Sequence, residues 1–322
     1  ITASAGTSNF RAGVNAGNSI ASGGNYNVVV GDEAGTAITT SDYNVAVGYN
    51  AGTSVTTGKE NTLIGSLAGD ALTDADFNIA IGWGALGADT LGSKSVAIGT
   101  GALDAQNFTS ATDSFNVAVG HNAGSDVTTG VNNTLIGSLA GDALTEGGNN
   151  TALGINALGA DTLGSRNTAI GYQTLLVQNF TSATNSYNVA IGHDAGRAVT
   201  TGTNNTLIGG LAGDAITTGG SNVALGTSAL SANTTASSNT AVGYQAAYSI
   251  TGSQANTAIG RGALYSHTTG NGANVALGYD SSRSLTTGAY NVSVGTNALY
   301  NNTTSNYNTA MGRQAAYSNT TG

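Results

Sequence analysis

The chain has 322 residues, a formal net charge of −9 and only 8% charged residues, whereas soluble globular proteins carry about 25%. This thinly spread negative charge argues against nucleic-acid binding, which needs a face rich in Lys and Arg. Hydrophobic residues make up 39% of the chain, too many for a disordered polar tract. No apolar run approaches the ~20 residues of a membrane-spanning helix. We therefore expect a folded protein without membrane insertion and without a nucleic-acid partner.

One motif, Asn-x-x-aliphatic-Gly, recurs along almost the whole chain. Its spacing is 17 residues in thirteen of the seventeen gaps, 18 in two and 21 in two, and related insertions at Gln106 and Gln178 fill the two long gaps. Four units and one insertion make a 72-residue block, so NTLIGSLAGDAL at 61–72 returns unchanged at 133–144. Residues 1–8 are predicted to be a connector, and 9–322 the repeat region. The 18 anchor glycines are Gly13, Gly31, Gly48, Gly65, Gly82, Gly99, Gly120, Gly137, Gly154, Gly171, Gly192, Gly209, Gly226, Gly243, Gly260, Gly278, Gly295 and Gly312.

Each unit is predicted to form one coil of a parallel β-solenoid. Seventeen residues are too few for a helix pair, and the unit lacks a helical apolar period. In the segment NVAVG at 44–48, β-branched residues alternate with alanine, as in a half-buried strand. The Thr-Thr-Gly segment at 56–58 is typical of a turn. Two strands and two turns per unit, stacked at about 4.8 Å, predict an all-β, elongated solenoid of about 18 coils.

The fourth and seventh residues after each anchor glycine vary together. Where the fourth is Leu, as at Leu86 and Leu103, the seventh is polar; where the fourth is small, the seventh is aliphatic, as at Val55 and Leu72. Protein interiors are closely packed, so we expect both positions to share one slot that holds one large side chain. The residue before each anchor glycine is also predicted to lie inside the coil, as for Val47, Ile64, Ile81 and Ile98.

Two further columns are regular. Asn fills the first motif position in seventeen of the 18 units, as at Asn44, Asn61 and Asn78; we interpret it as a ladder of stacked amides in preference to a ligand-binding row. Ala stands three residues after the anchor glycine in sixteen units. Alanine columns would let another copy approach closely, and a thin single coil buries few large side chains. We therefore expect a homo-oligomer.

Several units resemble the head repeats of trimeric autotransporter adhesins and related repeats in bacteriophage tail fibres. The segments that carry the resemblance are NVAVGYNAG at 44–52, SVAIGTGAL at 95–103, NTAIGYQTL at 167–175 and NTAVGYQAA at 239–247. The core motif is short, but it recurs from about residue 9 to the end of the chain. The resemblance implies a left-handed parallel β-roll, an obligate homotrimer, and an adhesive or fibrous role outside the cell or on a virion.

No arrangement of residues predicts catalysis, a cofactor or a metal site. His121 and His193 occupy equivalent positions several coils apart, so they cannot share a metal within one chain. Copies of His121 could meet on a trimer axis and hold a metal, but a solvated face is favoured. A third histidine is His267.

The acidic residues are interpreted in the same way. Asp70, Asp142 and Asp214 recur in Ala-Gly-Asp-Ala segments and are interpreted as solvated turn residues in preference to calcium ligands. Asp74 and Asp76 are a weak candidate for the paired carboxylates of glycan cleavage.

Aromatic residues form a possible surface row immediately before the Asn column. Such a row could stack on sugar rings of a host glycan, or cover coil edges and seal joints between subunits; the second interpretation is favoured. The row comprises Tyr26, Tyr43, Phe77, Phe115, Tyr187, Tyr290 and Tyr307.

The function predicted from these features is a non-enzymatic structural fibre. It would be an extracellular or virion-associated trimeric shaft, like that of a phage tail fibre, that supports attachment to a host surface. Its main partner would be further copies of the same chain, in a homotrimer. A host cell-surface glycan or protein is a further possible partner. The alternatives are a bacterial trimeric surface adhesin that binds matrix or glycans, an ice-binding solenoid with a Thr-rich face, and a polysaccharide-degrading tailspike.

Overall fold

The computed structural model describes residues 6–320, and every helical or strand element within them is a β-strand. Residues 1–5 of the predicted connector lie outside the described residues. Contacts divide the chain into an N-terminal unit, residues 1–165 with 181–183, and a C-terminal unit, residues 166–180 with 184–322. Within residues 6–320 no helix is long and apolar enough to cross a membrane.

The N-terminal unit is a parallel β-solenoid. Nine three-residue strands each pair in parallel with the strand of the next coil, in the register that places Val45 beside Thr62 and Val47 beside Ile64. The first insertion adds a pair of two-residue strands, β6 and β8. The strands are β1 (Phe10–Ala12), β2 (Val28–Val30), β3 (Val45–Val47), β4 (Thr62–Ile64), β5 (Ile79–Ile81), β6 (Gly92–Ser93), β7 (Val96–Ile98), β8 (Thr112–Asp113), β9 (Val117–Val119), β10 (Thr134–Ile136), β11 (Thr151–Leu153) and β12 (Gly164–Ser165).

The C-terminal unit repeats this architecture with nine further three-residue strands in a parallel ladder. The prediction of an all-β parallel solenoid with about 18 coils of about 17 residues is therefore confirmed. The strands are β13 (Thr168–Ile170), β14 (Thr184–Asn185), β15 (Val189–Ile191), β16 (Thr206–Ile208), β17 (Val223–Leu225), β18 (Thr240–Val242), β19 (Thr257–Ile259), β20 (Val275–Leu277), β21 (Val292–Val294) and β22 (Thr309–Met311).

Each regular coil contains one strand, where the sequence predicted two. The rest of the coil turns at three left-handed residues; in one coil these are Tyr43, Asn50 and Gly52, with φ of 61°, 56° and 57°. Left-handed residues interrupt an extended strand. Hydrogen bonds between successive coils nevertheless continue around the turns, as from the Gly52 N–H to the Ala68 carbonyl at 2.9 Å.

The anchor glycines are required by contact between coils. All 18 have φ between 121° and 142°, a region that is almost exclusive to glycine. A Cβ on Gly48 would lie 2.5 Å from the carbonyl oxygen of Gly65 in the next coil. The glycine column therefore permits the backbones of successive coils to approach closely.

The prediction that the residue before each anchor glycine lies inside the coil is wrong. Ile64 is 38% exposed, whereas its neighbour Leu63 is 0% exposed. Successive side chains of a strand point to opposite faces, so burial of the middle residue turns both its neighbours outward. The other three side chains placed inside by the sequence are also partly exposed; they are Val47, Ile81 and Ile98.

The predicted shared slot is present inside the coils. Leu86, Leu103 and Leu72 are 0% exposed and Val55 is 1% exposed. A Cβ on Gly213, the fourth residue of its unit, would lie 2.7 Å from Cδ1 of Ile216, the seventh. The two positions therefore compete for one volume, and the slot cannot hold a large side chain from each.

A polar seventh residue, by contrast, is buried, and where it is Asp or Asn it accepts a hydrogen bond from the backbone three residues on. Asp89 is 0% exposed, and its Oδ1 accepts from the Gly92 N–H at 2.9 Å. Asn233 likewise accepts from the Ala236 N–H at 2.9 Å. In these units Leu fills the slot from the fourth position and the Asp or Asn at the seventh stabilises the following turn.

The alanine column also lies inside the coils. Ala51, Ala68 and Ala85 are 0% exposed. The alanines therefore do not form the surface against which a second copy was expected to pack, and an oligomeric contact requires a different face.

Candidate functional site

The Asn column is an internal hydrogen-bond ladder. Asn44 is 1% exposed and Asn61 and Asn78 are 0% exposed. The Oδ1 of Asn61 accepts from the Asn78 N–H at 2.9 Å, and its Nδ2 donates to the Ala75 carbonyl at 2.8 Å. Asn44 accepts from the Asn61 N–H at 3.0 Å. These buried amides are hydrogen-bonded to neighbouring coils and do not form a surface row that a ligand could reach.

The outer strand face, formed by the first and third residues of the three-residue strands, is the main apolar surface. In most coils both residues are Val, Ile, Leu or Thr, and they are partly exposed. Contiguous exposed apolar surface marks interaction sites. The most exposed members of this face are Phe10, Val28, Ile64, Ile79 and Leu153 in the N-terminal unit and Val223, Leu225, Ile259 and Met311 in the C-terminal unit, at 36–71%.

The predicted aromatic row is exposed along its whole length. Its seven members are 44–78% exposed, and all have left-handed φ near 50–61°. Tyr26 and Tyr43 stack at 5.1 Å between ring centroids, as do Tyr290 and Tyr307. Two pairs of rings therefore cover one another on successive coils.

Two members of the aromatic row lie beside a cationic side chain from the preceding coil. The Nζ of Lys94 lies 5.2 Å from the ring centroid of Phe115, and the guanidinium of Arg166 lies 5.7 Å from that of Tyr187. Both distances permit cation–π attraction. Four of the seven rings thus stack on another ring of the row, and two more lie beside a cation.

The three histidines lie in different surroundings. His121 and His193 are exposed, and Nδ1 of His193 lies 3.3 Å from Oδ2 of Asp194. His267 is 0% exposed, its Nε2 is 2.7 Å from the Ser253 hydroxyl, and burial lowers the pKa of the ring to about 4. Within residues 6–320 no group of three or more acidic, histidine or cysteine side chains could hold a metal ion.

Asp74 and Asp76, the weak candidate for glycan cleavage, each accept a hydrogen bond from the preceding coil. Asp74 accepts from the Thr57 hydroxyl, and Asp76 Oδ1 accepts from the Lys59 N–H at 2.7 Å. They lie in the turns and stabilise the stacking of coils.

Charge is divided unequally along the chain, which the overall value of −9 conceals. Residues 1–165 carry 14 acidic residues and 3 Lys or Arg, whereas residues 166–322 carry 3 acidic residues and 5 Lys or Arg. The formal net charge is therefore −11 in residues 1–165 (3 − 14) and +2 in residues 166–322 (5 − 3), although charged residues are sparse in both.

One notch in the N-terminal unit combines acidic and aromatic side chains. It is an open cavity of about 370 Å³ whose lining includes Leu67, Asp70, Trp83, Gly87 and Asp104. Burial raises the pKa of Asp70, and the Asp104 charge raises it further; burial also raises the pKa of Asp104. The sequence singled out Asp70 alone of these residues, because the others are brought together only when three coils stack.

No protein-family model, curated protein or solved structure matches the chain. Its function is therefore inferred from the surfaces of the coils together with the resemblance of its repeat units.

Proposed function

We propose that the chain is a non-enzymatic structural protein that forms a left-handed, homotrimeric shaft. The shaft is an extracellular or virion-associated element, like a tail fibre, and supports attachment to a host surface. The observation that carries the proposal is the outer strand face. Its apolar side chains recur in nearly every coil, so the surface that one copy offers is repeated along the chain.

The occupant of this face is a further copy of the same chain. Apolar rows at one regular spacing are matched best by rows at the same spacing, and an identical coil supplies them. The third strand residue is about 40% exposed at Ile64, Leu225 and Ile259. Burying these side chains against a neighbouring copy would contribute about 25 cal/mol per Å² of apolar area. A three-fold arrangement is the one that the resemblance to adhesin heads and tail fibres implies.

The second candidate is a bacterial surface adhesin that binds matrix or glycans along its length. The observation that favours it is the exposure of the stacked pairs Tyr26–Tyr43 and Tyr290–Tyr307, whose side chains are 44–78% exposed. Rigid aromatic surfaces of this kind are suited to stacking against ligands. The two candidates share the trimeric shaft and differ in where the receptor binds.

The remaining alternatives have weaker support. An ice-binding face needs a row of free hydroxyls, but the Thr56 hydroxyl donates to the Thr73 carbonyl at 3.2 Å and that of Thr200 to the Thr217 carbonyl at 3.1 Å. A tailspike needs paired carboxylates at a substrate groove. Asp74 and Asp76 are already bonded within the turns.

Sedimentation equilibrium tests the oligomeric state. The expected mass is three times the 31.5 kDa of the chain. Leu225→Asp with Ile259→Asp places two charges on the outer strand face and should yield a monomer, whereas Tyr26→Asp with Tyr43→Asp places two charges on the aromatic row, at side chains 49% and 55% exposed, and should leave the trimer intact. A wild-type chain that remains monomeric at micromolar concentration overturns the proposal.

Chemical cross-linking keeps the test decisive if the charged variant fails to fold. The chain has no cysteine, so Leu225→Cys and Tyr43→Cys each introduce a unique thiol. Oxidation or a short bismaleimide should link copies through the thiol at position 225 and not through that at position 43. Equal cross-linking at the two positions contradicts the proposed interface.

A further inference from the structure

The notch around Gly87 is created by a missing side chain. Asp70, Gly87 and Asp104 each stand five residues after an anchor glycine in three successive coils. A Cβ on Gly87 would lie 3.0 Å from Oδ1 of Asp104 and 3.5 Å from Oδ1 of Asp70. Two carboxylate oxygens from different coils therefore converge on the point that the glycine leaves open.

Neither carboxylate has a cationic partner within the described part of the chain. Among residues 6–320, no Lys, Arg or His lies within ion-pair distance of Asp70 or Asp104. The notch belongs to the unit that carries 14 acidic residues and 3 Lys or Arg, so its surroundings do not supply the missing charge. Trp83, 57% exposed, and Leu67 provide apolar walls.

One coil of the C-terminal unit carries a cationic side chain in this column. Arg283, which also stands five residues after its anchor glycine, lies 4.5 Å from the Tyr265 ring centroid and 2.8 Å from Oδ1 of Asp280. A cation is thus held there between an aromatic ring and a carboxylate. The notch also combines a ring with carboxylates, although Trp83 stands in a different column from Tyr265, and it lacks a cation of the chain.

A second equivalent position supports the same conclusion. Ser231 replaces Gly87 in the corresponding coil of a later block, and its hydroxyl donates to Oδ1 of Asp214 at 2.5 Å. Asp214 corresponds to Asp70. In that coil a side chain of the chain itself therefore contacts the carboxylate, whereas Gly87 has no side chain to contact Asp70 or Asp104 and leaves that space open.

We propose that the notch binds an organic ammonium group, primary or quaternary, between Asp70 and Asp104 and against Trp83. Carboxylates accept hydrogen bonds and attract cations, and the indole ring is the best cation–π surface among the side chains. Leu67 contacts the alkyl part of the ligand. The site lies within one unit of one chain and is independent of the proposed function, so it holds for a shaft of any purpose.

Other ligand classes fit less well. An anion is repelled by both carboxylates, and a neutral sugar leaves their charges uncompensated. A divalent metal prefers six or more oxygen ligands, but the notch offers the carboxylates of only two acidic residues, and no larger group exists among the described residues.

Tryptophan fluorescence tests the proposal directly, because Trp83 is the only tryptophan of the chain. The full-length protein is titrated at pH 7 and constant ionic strength with tetramethylammonium and ethylammonium chloride, and in parallel with glucose, sodium acetate and calcium chloride. The ammonium salts should give saturable changes in Trp83 emission, and glucose and acetate none. A saturable response to calcium or glucose, or none to either ammonium salt, overturns the proposal.

Two variants locate the binding. Asp104→Asn should weaken ammonium binding by about tenfold or more, since it removes a charge-assisted contact. Gly87→Ser, which introduces the residue type found at Ser231, should abolish binding without changing the net charge. Asp142→Asn removes the same charge from the same column outside the notch and should bind like the wild type; a loss equal to that of Asp104→Asn assigns the effect to the general field and contradicts the site.

Discussion

The side chain of Leu72 fills the space that a side chain on Gly69 would need. A Cβ on Gly69 would lie 2.8 Å from Cδ1 of Leu72, although the two residues were first linked only by the way their columns vary. In each coil, therefore, the slot can be filled by a large side chain from the fourth position or from the seventh, but not from both.

Moving the large side chain from the seventh to the fourth position of one coil tests whether the two positions share one slot. Ala247 and Ile250 occupy the fourth and seventh positions of their unit, and both are buried. Ala247→Leu alone should overpack the slot and cost about 1–3 kcal/mol. Ile250→Asn alone should cost about 2–5 kcal/mol, because it leaves a cavity. The double variant reproduces the preceding coil, which has Leu230 and Asn233.

Denaturant unfolding of the two single variants and the double variant measures the coupling. The double variant should recover most of the stability that the two single changes remove. Additive losses would mean that the two positions do not share a volume.

The anchor glycines should differ in how much they tolerate a methyl group. Gly65→Ala places a Cβ 2.5 Å from the Gly82 carbonyl oxygen and should cost about 3 kcal/mol or more. Gly312 has a similar φ of 121°, but no atom of the described residues lies within 4 Å of its added Cβ. Gly312→Ala should therefore cost only the backbone strain, about 1–3 kcal/mol, and thermal melts of the two variants should rank them in this order. Equal losses would show that contact between coils is not what selects glycine.

Removing one amide from the ladder should be costly. Asn61→Ala leaves the Asn78 N–H and the Ala75 carbonyl without the partners they have at 2.9 and 2.8 Å. Unsatisfied buried groups cost about 1–3 kcal/mol each. Thr62→Ala, at the adjacent half-exposed position, is the control and should change the unfolding free energy far less. A ligand-binding row would give the opposite pattern, with little loss of stability.

The number of coils was predictable because the glycine column depends on local backbone geometry. Which face of each strand points into the coil was not predictable. A three-residue strand such as Val45–Val47 can bury either its two branched residues or its alanine, and hydrophobicity favours the first. Backbone encloses the interior of a narrow coil, so most coils have room for Ala46 or its equivalent and not for two branched side chains. Leu63 is accommodated at this position because Gly69 and Gly52 leave space beside it.

The notch was missed for a different reason. Trp83, Gly87 and Asp104 are unremarkable within their own units, and only stacking brings them beside Asp70. The spacing of 17 residues from Asp70 to Gly87 and from Gly87 to Asp104 contained the signal. Aligning the units and comparing residues at the same position in successive units would have found the notch.

The buried imidazole of His267 should make stability depend on pH. Its pKa is lowered by burial from 6.5 to about 4. Above pH 6.5 the ring is neutral in both states and contributes no pH dependence. As pH falls from 6.5 towards 4, the unfolded chain binds a proton that the folded chain refuses, so up to about 3 kcal/mol of stability is lost. His267→Asn, with the residue found at Asn233 and Asn302, should remove this loss, as thermal melts between pH 7 and 4 would measure; parallel curves for the two proteins would contradict it.

The carboxylates of the notch should destabilise the fold while they are ionised. Burial raises the pKa of Asp70 and of Asp104, so the folded chain favours the protonated form more than the unfolded chain does. Above the raised pKa values the ionised groups therefore cost stability, and the cost is relieved as pH falls through them. Asp104→Asn should raise the Tm slightly at pH 7 and should change it less at pH 3, where Asp104 is mostly protonated in both states. Calorimetry at the two pH values measures the difference, and at one concentration tetramethylammonium should raise the Tm of the wild type more than that of the variant. A variant less stable than the wild type at pH 7 would mean that Asp104 holds the coils together, and the notch would then be part of the scaffold.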